Sequence, residues 1–164
     1  MKIRNSETKD LERIMEIYAL AREFMAAHGN PKQWGQTKWP PQEVIEEDIR
    51  LGKSYVCEEA DRVIGVFCYM YGKDIDPTYR RIEDGAWAND EPYAVVHRLA
   101  SDGSVKGTGT FCLNWAYGQS GHLRIDTHGD NRVMQCLLSK LGFEKRGIIY
   151  VKEDNDPRIA YEKL

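Results

Sequence analysis

The chain has 164 residues, 41% hydrophobic and 30% charged, with a net charge of −3 and a pI near 5.8. That length suggests one domain, residues 1–164, able to bury roughly 70% of its unfolded surface. The acidic balance excludes a nucleic-acid partner held by bulk charge, and the longest apolar runs, such as 63–71, are too short to span a membrane.

The opening Met-Lys-Ile-Arg-Asn-Ser-Glu lacks the apolar core of a signal peptide, so a cytoplasmic location is expected. Lys2 to Arg4 reads as a first strand. Thr8 is placed to cap a helix, with Asp10 and Glu12 favourable in its first turn. Leu11, Ile14, Met15, Tyr18, Ala21 and Met25 recur at helical spacing until Gly29 and Pro31 stop them. A loop with Trp34, Trp39, Pro40 and Pro41 follows, and then a second helix over about 42–51.

Residues 54–58 and 62–71 read as a hairpin. Residues 72–92 are polar, with Pro77, Gly85 and Pro92, and read as a loop. That is long for a loop, so the segment is either functional or partly structured. Residues 93–100 form a fourth strand and 111–117 a helix. Residues 122–127 form a fifth strand, and Asp130 or Asn131 starts a helix that Gly142 ends. Residues 147–151 and 158–163 pair as a closing antiparallel unit. Strands four and five, joined by a helix, should be parallel neighbours with a right-handed crossover. The expectation is a mixed α/β fold: a mostly antiparallel six- to seven-stranded sheet with helices on both faces. Cys57, Cys68, Cys112 and Cys136 lack metal-type spacing and read as buried free thiols, with no metal expected.

The most informative stretch is 97–110, His-Arg-Leu-Ala-Ser-Asp-Gly-Ser-Val-Lys-Gly-Thr-Gly-Thr. A strand runs through a turn with Gly103, Gly107 and Gly109 into a helix. Such a turn offers several N–H groups to a phosphate. An ordinary tight turn would use the same glycines.

The chain resembles the GNAT superfamily of N-acetyltransferases along nearly its whole length. The turn Ser104-Val105-Lys106-Gly107-Thr108-Gly109 stands where the family carries its Arg/Gln-x-x-Gly-x-Gly/Ala motif. Residues 131–143, Asn-Arg-Val-Met-Gln-Cys-Leu-Leu-Ser-Lys-Leu-Gly-Phe, resemble its C-terminal helix. The resemblance implies that strands four and five splay around the pantetheine arm of acetyl-CoA. Leu99, Ala100 and Ser101 would pair with it, residues Ser104 to Thr110 would cradle its pyrophosphate, and Asn131 would bond the arm, with Lys140 nearby. It also implies an amine acceptor as partner, and a homodimer as one assembly. Ser104 departs from the family's Arg or Gln. Leu138 stands where many members place a tyrosine as general acid.

His97 is the candidate base, because a neutral imidazole can take a proton from an ammonium. A histidine wedged between strand and helix is the bland alternative. Arg98 should point to the opposite face. Asp126 alternates away from Leu123 and Ile125, towards the acceptor or a neighbouring arginine. His128 could replace the absent acid, and Tyr150 is a further candidate. Trp34, Trp39, Trp87 and Glu83 are candidates for the acceptor wall. A non-catalytic acyl-CoA-binding module is the alternative of a different class. A generic mononucleotide-binding α/β protein is a third reading.

Overall fold

A computed structural model describes residues 1–164. In chain order the elements are β1 (Lys2–Asn5), α1 (Leu11–Ala27), α2 (Gln42–Arg50), β2 (Ser54–Glu59), β3 (Arg62–Gly72), β4 (Tyr93–Ser101), α3 (Thr108–Ser120), β5 (Leu123–His128), α4 (Arg132–Lys140), β6 (Glu144–Tyr150) and β7 (Pro157–Lys163). The strands form one seven-stranded sheet in the order β1-β2-β3-β4-β5-β7-β6. Only β4 and β5 are parallel neighbours. No helix is long and apolar enough to cross a membrane.

Helices cover both faces. Ile14, Ile17, Tyr18 and Ala21 form one stripe of α1 and pack with Ile45 of α2 on Val56, Val63, Val66 and Ala100. On the other face, Cys112, Leu113 and Ala116 of α3 and Leu138 of α4 bury Cys57, Phe67, Ala94 and Val96. Residues 63–68 of β3 are all buried, because a central strand covered on both faces becomes continuously apolar rather than alternating.

Three local expectations change. Thr8 does not cap α1; it lies in a short 3₁₀ turn, Thr8–Asp10, and the Glu7 amide donates to Asp10 at 2.7 Å. Helix α3 starts three residues earlier than its apolar pattern, because Gly107 in the left-handed region (φ +87°) turns the chain straight into it. Cys136 is exposed, while Cys57, Cys68 and Cys112 are buried. The α4 stripe covers only one side of a short helix, and Cys136 lies off it.

The polar segment 72–92 is partly structured. Pro77–Tyr79 is a 3₁₀ turn, and Glu83 exchanges two backbone hydrogen bonds with Ile148 of β6. Ile75, Tyr79, Ile82 and Trp87 pack over Tyr93, Val95, Ile149 and Ala160. Met70 lies two and four residues along β3 from Cys68 and Val66, and Val95 pairs with Met70. The segment therefore shares a sheet face with α1 and α2. Gly85 is required by close approach: a Cβ there would meet the Arg146 carbonyl oxygen at 1.8 Å.

A buried ion network ties this segment down. Glu162 of β7 is fully buried and accepts from Arg124 (2.9 Å), His122 (2.7 Å), Arg146 (2.8 Å) and the Ala88 amide (2.8 Å). Arg124 also lies 3.9 Å from the Tyr93 ring centroid and 4.4 Å from that of Trp87. Burial alone would raise the Glu162 pKa. Its hydrogen bonds to His122, Ala88 and Arg124 outweigh burial and hold the carboxyl below its ordinary value. Glu162→Gln would strand buried cations, so chemical denaturation at neutral pH should report a loss of about 3 kcal/mol. The depressed pKa makes this contribution present above the unfolded carboxylate value, about 4.3, and lost as pH falls through the folded value. The gap between wild type and Glu162→Gln should therefore narrow in denaturation curves taken below about pH 4.

Candidate functional site

The parallel pairing of β4 with β5 is short. Ala94 pairs with Leu123 and Val95 with Arg124, and no residue beyond these pairs. Past them the strands part, and a cleft of about 410 Å³ opens between them, α1 and the segment 72–92.

The parting coincides with a bulge in β4. Val66 pairs with Ala100 and Cys68 with His97, so Arg98 and Leu99 together face Phe67. Arg98 has φ +55°, which costs a side-chain-bearing residue roughly 1–2 kcal/mol. Two helices hold it there. The Tyr18 hydroxyl of α1 donates to the Arg98 carbonyl at 2.8 Å. The Arg98 guanidinium pairs with Asp48 of α2 at 2.5 Å. The bulge breaks the two-residue alternation, so Arg98 lines the same cleft as His97 instead of facing the other way.

His97 lies in the wall of the cleft between two carboxylates. Its Nε2 is 2.5 Å from Asp76 Oδ2, and its Nδ1 is 3.7 Å from Asp126 Oδ2. The Tyr79 hydroxyl donates to the same Asp126 oxygen at 2.7 Å. Burial would lower the His97 pKa. The Asp76 hydrogen bond and the charges of Asp126 and Asp76 outweigh burial and raise it above the usual histidine value. Asp76 is also buried, which opposes ionisation, but His97 and both the amide and the hydroxyl of Thr78 hold it below its ordinary value. Burial pushes Tyr79 well above the usual phenol value, and the Asp126 and Asp76 charges add to the rise, so its hydroxyl stays a donor.

The glycine turn lies at the start of α3. The amides of residues 105–110 make no well-formed hydrogen bond within the protein. Both the Ser104 amide and its hydroxyl donate to Asp102, at 2.9 and 2.6 Å. Asp102 pairs in turn with Arg13 of α1 at 2.5 Å. Ser104 thus shapes the turn, and the free donors come from the residues after it. A Cβ at Gly107 would enter open space, whereas one at Gly109 would come 3.2 Å from the Leu137 side chain.

The remaining candidates divide. Leu99 lines the cleft, while Ala100 and Ser101 pair with Val66 and Gly65. Asn131 lines the cleft, but its side chain caps α4 through the Met134 amide (3.1 Å) and donates to Gln33 (3.0 Å). Lys140 is exposed at the end of α4. Trp34 and Trp39 line the cleft. Trp87 does not; its indole donates to the Tyr79 carbonyl at 2.8 Å, beneath the segment. Glu83 is taken up by its bridge to β6 and an ion pair with Arg81. His128 is buried, lies off the cleft, and bonds Asp156 at 2.9 Å and the Asp130 amide at 3.0 Å. Tyr150 is exposed. Leu138 is fully buried in the core under α4. No group of three or more His, Cys, Asp or Glu side chains is arranged to hold a metal ion.

Sequence reasoning missed Asp76, Asp48 and Tyr18 as site residues; Tyr79 stands out in the sequence only as one of the loop aromatics, without its bond to Asp126. Asp76-Pro77-Thr78 carried a usable signal, since Asp before Pro favours a capped turn, and Asp76 does cap the 3₁₀ turn through Thr78. Nothing local marks Asp48 or Tyr18 for the site.

No family model and no curated protein matches this chain. Solved structures do. A GNAT-family acetyltransferase from Streptococcus agalactiae superimposes with a TM-score of 0.87 at 28% identity, over 99% of this chain and 94% of that one. A GNAT-family acetyltransferase from Bacillus cereus gives 0.63 at 18% identity, over 99% and 97%. A ribosomal-protein-alanine N-acetyltransferase from Brucella melitensis gives 0.63 at 17% identity, over 100% and 99%. The full-length superpositions give this chain the fold of the GNAT-family acetyltransferases, to which it is similar over its whole length.

Proposed function

We propose that the protein is an acetyl-CoA-dependent N-acetyltransferase that acts on a primary amine of a small molecule or peptide. The observation that carries this reading is the opening between β4 and β5, with unbonded amides at the start of α3 and His97 in the cleft wall. The acyl donor would supply an activated thioester carbonyl.

The free amides of residues 105–110 are suited to the diphosphate, because a helix start and a positive-φ glycine turn point donors at one anion. Leu99 follows the bulged Arg98, and its amide is the candidate donor to the carbonyl oxygen as charge develops there. The incoming ammonium gives one proton to neutral His97, directly or through a water; the neutral amine then forms the N–C bond as the C–S bond breaks, and its second proton goes to the departing thiolate or to solvent. Asp76 orients the ring, and Asp126 with Tyr79 makes an anionic wall for the incoming ammonium. The thiolate leaves without help from α4, because Leu138 has no proton to give.

The rival reading is a non-catalytic acyl-CoA-binding module. Leu138 favours it, since the family's usual acid position is filled by core. Release of CoA with a panel of primary amines separates the two.

Two outcomes are expected. Gly107→Val places a β-branched residue at φ +87° and a side chain in the open space before the free amides. Titration calorimetry should then show CoA binding lost or weakened by at least about tenfold in a protein that still folds; unchanged affinity would move the diphosphate elsewhere. A base works only when deprotonated, so the raised His97 pKa sets the acidic limb of kcat/KM above the ordinary value near 6.5. Asp76→Asn should shift that limb to lower pH, and His97→Ala should cut kcat by about 10²-fold with CoA affinity nearly intact. A limb that ignores both substitutions would take the base role from His97.

A further inference from the structure

We infer that the acceptor carries an anionic group, carboxylate or phosphate, in addition to its amine, and that Lys53 receives it. The inference rests on the acyl-transfer reading above and names the substrate class for the same cleft.

The charges lining the cleft are almost all spoken for. Arg98 is paired with Asp48 at 2.5 Å, Arg158 with Asp154 at 2.6 Å, and His97 with Asp76 at 2.5 Å. Lys53 also lines the cleft, and no carboxylate lies within 4.0 Å of its ammonium. It is the one cationic side chain of the cleft without an ion-pair partner. Lys53 is half-buried and shares the cleft lining with Trp34, Trp39 and Met70, without a protein anion as partner. A ligand anion supplies that partner, and a charge-assisted hydrogen bond to it is stronger than a neutral one.

Position supports the pairing of roles. Lys53 immediately precedes β2, and its amide is fixed on the Asp48 carbonyl at 2.8 Å. The next residue, Ser54, pairs with Cys68, and Cys68 pairs with His97. Lys53 therefore starts about two strand spacings, roughly 10 Å, from His97 at the backbone. The charges of Lys53, Arg98, Asp48 and Asp76 all act on the Cys68 thiol, so they surround one small region. The cleft wall thus carries two carboxylates, Asp76 and Asp126, whose side chains are 6% and 8% exposed. Two strand spacings from His97 it carries Lys53, which has no ion-pair partner. A compact molecule with an amine and an acid at its two ends matches both. Lysine presents a point charge without the planar fork of arginine, so it accepts either carboxylate or phosphate.

The test measures CoA release from acetyl-CoA with matched amines: β-alanine and 4-aminobutyrate, their carboxamides, and ethanolamine phosphate against ethanolamine. Wild type, Lys53→Ala and Lys53→Glu are compared at low salt, with circular dichroism confirming the fold. The acid-bearing amines should exceed their neutral partners in kcat/KM by about tenfold, chiefly through KM. The ratio should collapse towards unity in Lys53→Ala and invert in Lys53→Glu. The carboxylate and phosphate arms show which anion is preferred. Equal use of both partners by wild type, or a preference that survives Lys53→Ala, overturns the inference. Weakened CoA binding in Lys53→Ala overturns it too, by assigning Lys53 to the donor. Should no amine release CoA, calorimetry of 4-aminobutyrate on CoA-loaded protein decides. Binding that depends on Lys53 retains the acid site and discards acyl transfer, and no binding discards the acid site.

Discussion

Strand β4 cannot follow β5 beyond Val95, and the rest of the site depends on that constraint. A parallel pair held by two register positions leaves the ends of both strands with unmet hydrogen-bonding capacity. The bulge at Arg98 and Leu99 turns this parting into a fixed feature. It costs a left-handed residue that is not glycine, and the molecule offsets that cost with Tyr18 from α1 and Asp48 from α2. The helices that close one face of the sheet are therefore the same elements that set the shape of the cleft.

Two buried polar clusters divide the work on that face. Around Glu162, three cationic or imidazole side chains and an amide converge on one carboxylate, and nothing there opens to the cleft. Such a cluster fixes the segment 72–92 on β6 and β7. Around His97 the balance is different: two carboxylates and one imidazole share a wall that faces open space. The first cluster is closed and structural in character. The second holds spare negative charge where a ligand can reach it. The segment 72–92 joins them, because it is anchored by Ala88 at one end and supplies Asp76 and Tyr79 at the other.

The element order was legible because apolar periodicity is strong in α1 and α4, because continuous apolar runs mark β3 and β4, and because glycine marks the turns. The splay of β4 from β5 was legible only through the family resemblance, and the bulge was not legible at all. A left-handed arginine leaves no trace in the sequence, since its conformation is imposed by Tyr18 and Asp48, eighty and fifty residues away. Alternation therefore put Arg98 on the wrong face. The surroundings of His97 were hidden for a related reason: Asp76 and Tyr79 lie in a segment whose composition reads as solvated loop, and Tyr79 is buried by packing with Tyr93, Val95 and Ile149. Glu83 and Trp87 looked like acceptor residues from composition, yet backbone pairing and the Arg124 stack hold them beside β6 and β7.

The leucine at position 138 fits this division. It is fully buried among Leu113, Leu123, Ile125 and Phe143, and its carbonyl accepts the Phe143 amide at 3.0 Å, which closes the helix end. A tyrosine there would have to carry its hydroxyl out of a filled core, and overpacking of this kind typically costs about 1–3 kcal/mol. Helix α4 is thus committed to holding β5 and β7, and its chemistry on the cleft side is limited to capping by Asn131. A thiolate is a tolerable leaving group, because an ordinary thiol ionises near pH 8.5. The proton on the amine is the harder one to move, since a primary ammonium holds it to about pH 10. In the proposed reaction, side-chain effort in this cleft falls on the amine, where His97 lies between Asp76 and Asp126, and α4 is left free to pack.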